Sequence, residues 1–224
     1  MSLTVVSTMK NEGPFLLEWL AHHKAIGFER FLICWNDCED GTDRMLQRLQ
    51  DMGLVTQHPT KLRKGGIQRS ALRQARRYPE VADADWIYIC DADEFLNIHV
   101  GDHSVQALID ATAGADVISV PWRVFGSGGV ETYEDRPVAE QFLRCELPFD
   151  AATNPKAGQM VKSLIRDQAR FARFGLHVPV AAGEDAGTFR FAYPGGAPVD
   201  DSAPEFGVAQ VNHYVLRSLD SYLV

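Results

Sequence analysis

The chain has 224 residues, of which 46% are hydrophobic and 23% charged. That suits a single α/β unit with a sizeable core and excludes disorder over most of its length. Its 22 Lys and Arg against 30 Asp and Glu give a formal net charge of -8, which argues against a broad electrostatic surface for nucleic acid. No run of ~18 or more apolar residues spans a bilayer, and the N-terminus lacks the basic-then-apolar pattern of a secretory signal.

Read in chain order, Leu3 to Ser7 forms a first predicted strand. Gly13-Pro14 then opens a helix on which Phe15, Leu16, Trp19, Leu20 and His23 recur at helical spacing, with proline suited to the first turn. Phe31 to Trp35 is a second strand, Asn36 to Thr42 a polar loop, and Met45, Leu46 and Leu49 mark a second helix. Val55 lies in a short third strand. A basic helix from Ile67 to Tyr78, entered through Gly65-Gly66, leads by Pro79 to a fourth strand. Four strand-then-helix units predict a mostly parallel sheet with right-handed crossovers and a site at the strands' carboxyl ends. Beyond, Val105, Leu108 and Ile109 suggest a helix and Val117 to Val120 a strand, with a glycine-rich loop at Phe125 to Gly129. Val161 to Ile165 and Phe171 to Val180 are candidate strands of a smaller antiparallel part. Ala181 to Pro204, rich in Gly, Ala and Pro, reads as a long loop. Cys34, Cys38, Cys90 and Cys145 show no zinc-ligand spacing and read as reduced, mostly buried thiols.

Chemistry concentrates at the end of the fourth strand, Asp85-Trp86-Ile87-Tyr88-Ile89-Cys90-Asp91-Ala92-Asp93-Glu94-Phe95. Acids at a strand end often only cap a turn. Here Asp91, Asp93 and Glu94 crowd together, and like charges this close call for a compensating cation or a shared proton. Hard oxygen ligands favour Mg²⁺ or Mn²⁺ held against a phosphate, so a metal–diphosphate site is the sharper expectation.

The set Lys10-Asn11-Glu12, Glu18-Trp19-Leu20 with His23, Asp40-Gly41-Thr42, Gly66 with Arg69, and Asp91-Ala92-Asp93-Glu94-Phe95 resembles a glycosyltransferase of the type-A fold. The closest resemblance is to family-2-like bacterial enzymes related to glycosyltransferase family 92. Trp122, Phe125-Gly126-Ser127, Lys162-Ser163, Asn212-His213-Tyr214 and Arg217-Ser218 agree in order and rough spacing, so the resemblance covers nearly the whole chain. It implies an α/β, Rossmann-like, mostly parallel sheet flanked by helices, with a smaller antiparallel part in the C-terminal half. It also implies one domain, with residues 1–100 as the nucleotide-sugar half and 101–224 as the acceptor half.

The implied activity is metal-dependent transfer of a sugar from a nucleotide-diphosphate donor, UDP-sugar favoured, to a hydroxyl of a glycan or lipid-linked acceptor, in polysaccharide biosynthesis. Asp91, Asp93 and His213 would hold Mn²⁺ or Mg²⁺, with Glu94 as a supporting acceptor. Asn11, Glu12, Asn36, Asp37, Arg69 and Asp91 would contact the nucleotide, with Arg63 and Lys64 as additional cations for the diphosphate. Asn11 could equally cap the first helix. Asn36 stands where related enzymes often carry an aspartate, which leaves the base open. Asp185 of the Glu184-Asp185 pair is the implied catalytic base, with Asp135 and Glu131 as competitors. Family analogy places the enzyme in the cytoplasm, at the inner face of a membrane with peripheral association, and the ending within a helix begun near Arg217 suggests a continuation beyond residue 224. Two other readings compete. A metal-dependent nucleotidyltransferase is weakened by Lys10-Asn11-Glu12-Gly13-Pro14, a poor triphosphate cradle, and a non-catalytic carbohydrate-binding module has no use for clustered metal acids.

Overall fold

The computed structural model describes residues 1–63, 65–146, 160–182, 189–199 and 206–222. In chain order the strands and helices are β1 (Leu3–Met9), α1 (Gly13–Ala25), β2 (Arg30–Trp35), α2 (Thr42–Asp51), β3 (Thr56–Pro59), α3 (Ile67–Ala75), α4 (Pro79–Ala82), β4 (Trp86–Ile89) and β5 (Glu94–Ile98). They continue with α5 (Val105–Ala111), β6 (Val117–Val124), α6 (Val138–Gln141), β7 (Val161–Arg166), β8 (Phe171–Arg173), β9 (Val180–Ala181), β10 (Phe191–Ala192), β11 (Ala209–His213) and α7 (Leu219–Tyr222).

The main sheet runs β3-β2-β1-β4-β7-β6-β11-β5, with β10 added beside β6. The first four in this order pair in parallel. β7 lies antiparallel to both β4 and β6, and β11 is parallel to β6 but antiparallel to β5. The expected parallel first half and antiparallel later part are therefore both present, fused in one sheet. Only four residues lie between the end of β4 and the start of β5, yet three strands separate the two in the sheet order. The sheet must therefore curl back so that its last strand returns to the carboxyl end of β4, and Asp91 to Asp93 lie where the curl closes.

The inner strands are buried on both faces, as parallel strands in a layered α/β domain must be. Val5 and Tyr88 face a core shared with Leu16, Trp19 and Leu20 of α1 and Leu46 of α2. Val6 and Ile87 face a second core with Ala71, Leu72 and Ala75 of α3 and Val81 of α4. Full burial of one such aliphatic side chain contributes about 1.5–3 kcal/mol. His23 is sealed among Trp19, Phe28, Tyr88 and Phe95, where burial drives its pKa down to about 3; it is a neutral packing residue.

The structure departs from the sequence reading in several places. The fourth unit is not strand-then-helix: β5 follows the acidic turn directly, and its partner β11 was also unexpected. Pro79 does not lead straight into β4 but occupies the first turn of α4. Val55 precedes β3 by one residue, and Phe171 to Val180 is no single strand but β8 and β9, a separate two-stranded ribbon. β10 interrupts the expected loop from Ala181, whose segments 183–188 and 200–205 lie outside the described residues. Of the four thiols, Cys34 and Cys90 are buried, Cys38 is half-buried and Cys145 is exposed, so "mostly buried" is corrected to half.

Candidate active site

The carboxyl ends of β1, β2 and β4 open into one cleft of about 690 Å³. It is lined by Thr8, Met9 and the Asp91–Asp93 turn, by Glu12, Asn36 and His213, and by Gly65 to Arg69. The volume falls in the range of small-molecule and cofactor sites.

The acidic turn is fixed by its surroundings. The Asp91 carbonyl accepts from the Trp19 indole (3.1 Å) and the Ala92 carbonyl from Arg217 (3.1 Å). The Asp93 carbonyl accepts from the Tyr214 amide (2.9 Å), and the Asp91 amide donates to Glu94 Oε2 (2.9 Å). The turn is thus held by α1 and by the segment after β11 as well as by β4.

Each carboxylate then meets a cation. Lys162 on β7, only 1% exposed, brings Nζ to 2.6 Å from Asp91 Oδ2 and 3.3 Å from Glu94 Oε2. Burial opposes the ammonium, but Glu94 and Asp91 outweigh it and raise the Lys162 pKa, so the buried amine stays charged. Glu94 is itself fully buried, and burial pushes its pKa up to about 7 despite Lys162. His213 Nε2 lies 3.2 Å from Asp93 Oδ2. Burial works against both charges, yet the mutual attraction prevails: Asp93 is shifted below and His213 above the ordinary value. Behind the turn, Arg217 donates to Glu12 Oε2 (2.9 Å) and stacks 3.7 Å over the Phe15 ring. Burial raises the Glu12 pKa despite this partner.

Asp93, Glu94 and His213 each offer a ligand atom within 4.8 Å of the others. Glu94 Oε1 and His213 Nδ1 are buried without a hydrogen-bond partner. A group of carboxylate oxygens with one imidazole fits Mn²⁺ or Mg²⁺ rather than a soft metal, and a buried carboxylate oxygen without a donor, as Glu94 Oε1 is, is what a cation site would leave.

Of the residues singled out from sequence, Glu12, Asn36, Arg69, Asp91, Asp93 and His213 are brought together around the cleft. Asn11 and Asp37 are not among its lining residues. Asn11, at φ 57°, accepts from the Glu39 amide (2.8 Å), while Asp37, at φ 44°, accepts from the Asn36 side chain (3.1 Å). Nor does Asn11 cap α1: Asp40 accepts from the Gly13 amide (2.8 Å) and Thr42 from the Glu12 amide (2.9 Å). Glu131 and Asp135 are exposed on the segment before α6. Lys64 and Asp185 lie outside the described residues. Sequence reasoning missed the role of Lys162, although a lysine inside Val161 to Ile165 was a signal, and missed Gln68, whose amide lies 3.5 Å from Asp91 Oδ1.

Comparison with known proteins adds the family. The sequence profile described as glycosyltransferase family 92 matches residues 4–214. A glycosyltransferase family 92 protein of Ricinus communis is 29% identical over 136 residues, covering 58% of this chain and 24% of the relative. One of Oryza sativa subsp. japonica is 30% identical over 112 residues, covering 48% and 18%. The chain thus spans about a quarter or less of the length of these plant relatives. Among solved structures, residues 1–349 of S. aureus TarS superpose with a TM-score of 0.47 at 14% identity, covering 75% of this chain and 47% of that one.

Proposed function

The chain belongs to glycosyltransferase family 92, and on that premise we propose that its cleft transfers a sugar from a nucleotide diphosphate to an acceptor hydroxyl, with a UDP-sugar as the favoured donor. The acceptor is a glycan or a lipid-linked glycan. The observation that carries this reading is the meeting of Asp91, Asp93 and His213 with the N-terminal turn of α3 and Arg69 across one cleft. A divalent ion held by Asp93 and His213, with Asp91 and Glu94 beside it, would neutralise charge growing on the departing diphosphate.

The chain's own residues supply the remaining work. The first amides of α3 have no intrahelical acceptor and, with the helix dipole, favour a phosphate there. Arg69, on the cleft wall, offers paired donors to diphosphate oxygens. Asn36, on the wall beyond β2, reads the nucleoside, and Asp91, held by Lys162, accepts from a donor hydroxyl. Asp185 is retained as the proposed base that deprotonates the acceptor.

The test is a thermal-shift panel of nucleoside diphosphates, nucleotide sugars, nucleoside triphosphates and free sugars, each with and without Mn²⁺, on this chain and on Asp93→Ala. A ligand that binds only the folded state raises its apparent stability. The expected result is an Mn²⁺-dependent shift with one diphosphate and its sugar, lost in Asp93→Ala. A shift with triphosphates alone would replace the reading with nucleotidyl transfer, and a metal-independent shift with sugars alone would replace it with sugar binding.

A further inference from the structure

β6 lies between β7 and β11 in the sheet, and so between the strands that carry Lys162 and His213. Val120 of β6 stands opposite Lys162, and Trp122 stands opposite Val211. Residues two apart on a strand share a face. Lys162, Trp122 and His213 therefore rise from one face of the sheet, with Trp122 diagonal to each cation.

The indole uses that position. Its ring lies 4.3 Å, centroid to centroid, from the His213 imidazole, and the Lys162 ammonium stands 5.7 Å over it. An aromatic face carries negative charge density and attracts a cation within about 6 Å. One side chain thus touches both groups that partner the acids: Lys162, on Asp91 and Glu94, and His213, on Asp93. Trp122 is only 9% exposed, and His177 meets its edge at 5.1 Å and 70°. His177 is held in turn, its Nδ1 donating to the Val161 carbonyl (3.1 Å) and its carbonyl accepting from the Ser163 hydroxyl (2.6 Å). The χ2 torsion of a histidine is broad, so the angle at which His213 faces Asp93 is set by what packs on the imidazole, and the indole packs there.

We propose that Trp122 is a positioning residue of the metal site. Its ring fixes the angle at which the His213 imidazole meets Asp93 and steadies Lys162 against Asp91 and Glu94, so that acids and imidazole converge on one ion. The inference rests on the metal-assisted transfer reading above and adds the residue that orients its ligands.

Pulsed EPR with Mn²⁺ alone, without nucleotide, tests this on the chain and on Trp122→Phe, Trp122→Met and Leu108→Ala, with folding checked by circular dichroism. Trp122→Phe keeps an aromatic face, and Trp122→Met keeps apolar volume without one. Leu108 is fully buried on α5 and lines no part of the cleft. We expect the chain and Trp122→Phe to bind Mn²⁺ with the spin coupling of a directly bound imidazole nitrogen. Trp122→Met should bind about tenfold more weakly and lose most of that coupling, as is typical when a group that orients a metal ligand is removed. Leu108→Ala should melt lower because of its cavity yet keep both signals. Parent-like affinity and coupling in Trp122→Met would overturn the proposal, as would an equal loss in Leu108→Ala or in Trp122→Phe. If Trp122→Met does not fold, tryptophan emission decides: bound paramagnetic Mn²⁺ should quench the chain more than Trp122→Phe, and equal quenching would overturn the proposal. A chain that binds no Mn²⁺ would sink the metal site and this proposal together, whereas a failed nucleotide panel bears on the donor alone.

Discussion

The ion pairs in and around the cleft join carboxylates from the early part of the chain to cations from its later part. Residues 1–98 supply its carboxylates Glu12, Asp91, Asp93 and Glu94, and residues beyond 160 supply the partners Arg217, Lys162 and His213. Without the later residues, Glu94 and Asp91 would lack Lys162, and without the early ones Lys162 and Arg217 would lack their carboxylate partners. Neither arrangement is tolerable by itself in a low-dielectric setting. The cleft's carboxylates and their partners therefore come from both sides of residue 100.

This complementarity can be broken at three points. Lys162→Met should have the largest effect, because it leaves Glu94 and Asp91 without their buried partner. Loss of one member of a buried ion pair costs about 3–5 kcal/mol, which in a domain of this size lowers the melting temperature by roughly 10 °C in calorimetry. A variant melting with the parent would show the later half to be dispensable for the acids. The Glu12–Arg217 pair should respond unevenly. Arg217→Met strands Glu12 and the Ala92 carbonyl and should cost about 2–3 kcal/mol in denaturant titration. Glu12→Gln removes a carboxylate that burial already disfavours and should cost less than about 1 kcal/mol. Equal costs would show the pair to be valued for its attraction alone.

The smallest effect should be the pH dependence of the His213–Asp93 pair, measured in chelator as the melting-temperature difference between the parent and His213→Gln. His213 is raised above 6.5, so its contribution is complete below that value and fades as pH rises through its folded pKa. Asp93 is lowered below 3.8, so the contribution is present above that value and fades as pH falls through its folded pKa. The difference should be a few degrees at most, as expected for a partly exposed pair, greatest between pH 3.8 and 6.5, and shrinking toward alkaline pH. A difference that grows above neutral pH would contradict the pairing.

Where periodicity and punctuation agreed, the sequence was readable. β1 through α2 follow from apolar runs broken by Gly13-Pro14 and Gly41-Thr42, and β4 from Trp86 to Ile89 between acids. β5 was hidden because it opens on Glu94, an acid that folding buries against Lys162. β11 was hidden because Gln210, Asn212 and His213 dilute its apolar residues. The crowding of Asp91, Asp93 and Glu94 was legible as chemistry, whereas His213 was named from the family resemblance. Lys162 was not assigned because β7 is buried on both faces, so alternation along Val161 to Ile165 carried no sign that one position faced a carboxylate. Asn11 and Asp37 were named from the resemblance; in the structure both have left-handed backbones and hydrogen bonds within the loops after β1 and β2.

The placement of β7 between β4 and β6 has a consequence in time. Lys162 is seventy-one residues downstream of Asp91, so a ribosome releases the acidic turn well before the strand that neutralises it. Until β7 inserts, the nascent chain carries a parallel sheet with an unpaired edge on β4 and an uncompensated acidic rim. Closing this gap is a long-range step that carries a loop-closure cost. Insertion of β7 brings Lys162 to the acids, and β11 with the segment after it then adds His213 and Arg217 and closes the sheet against β5.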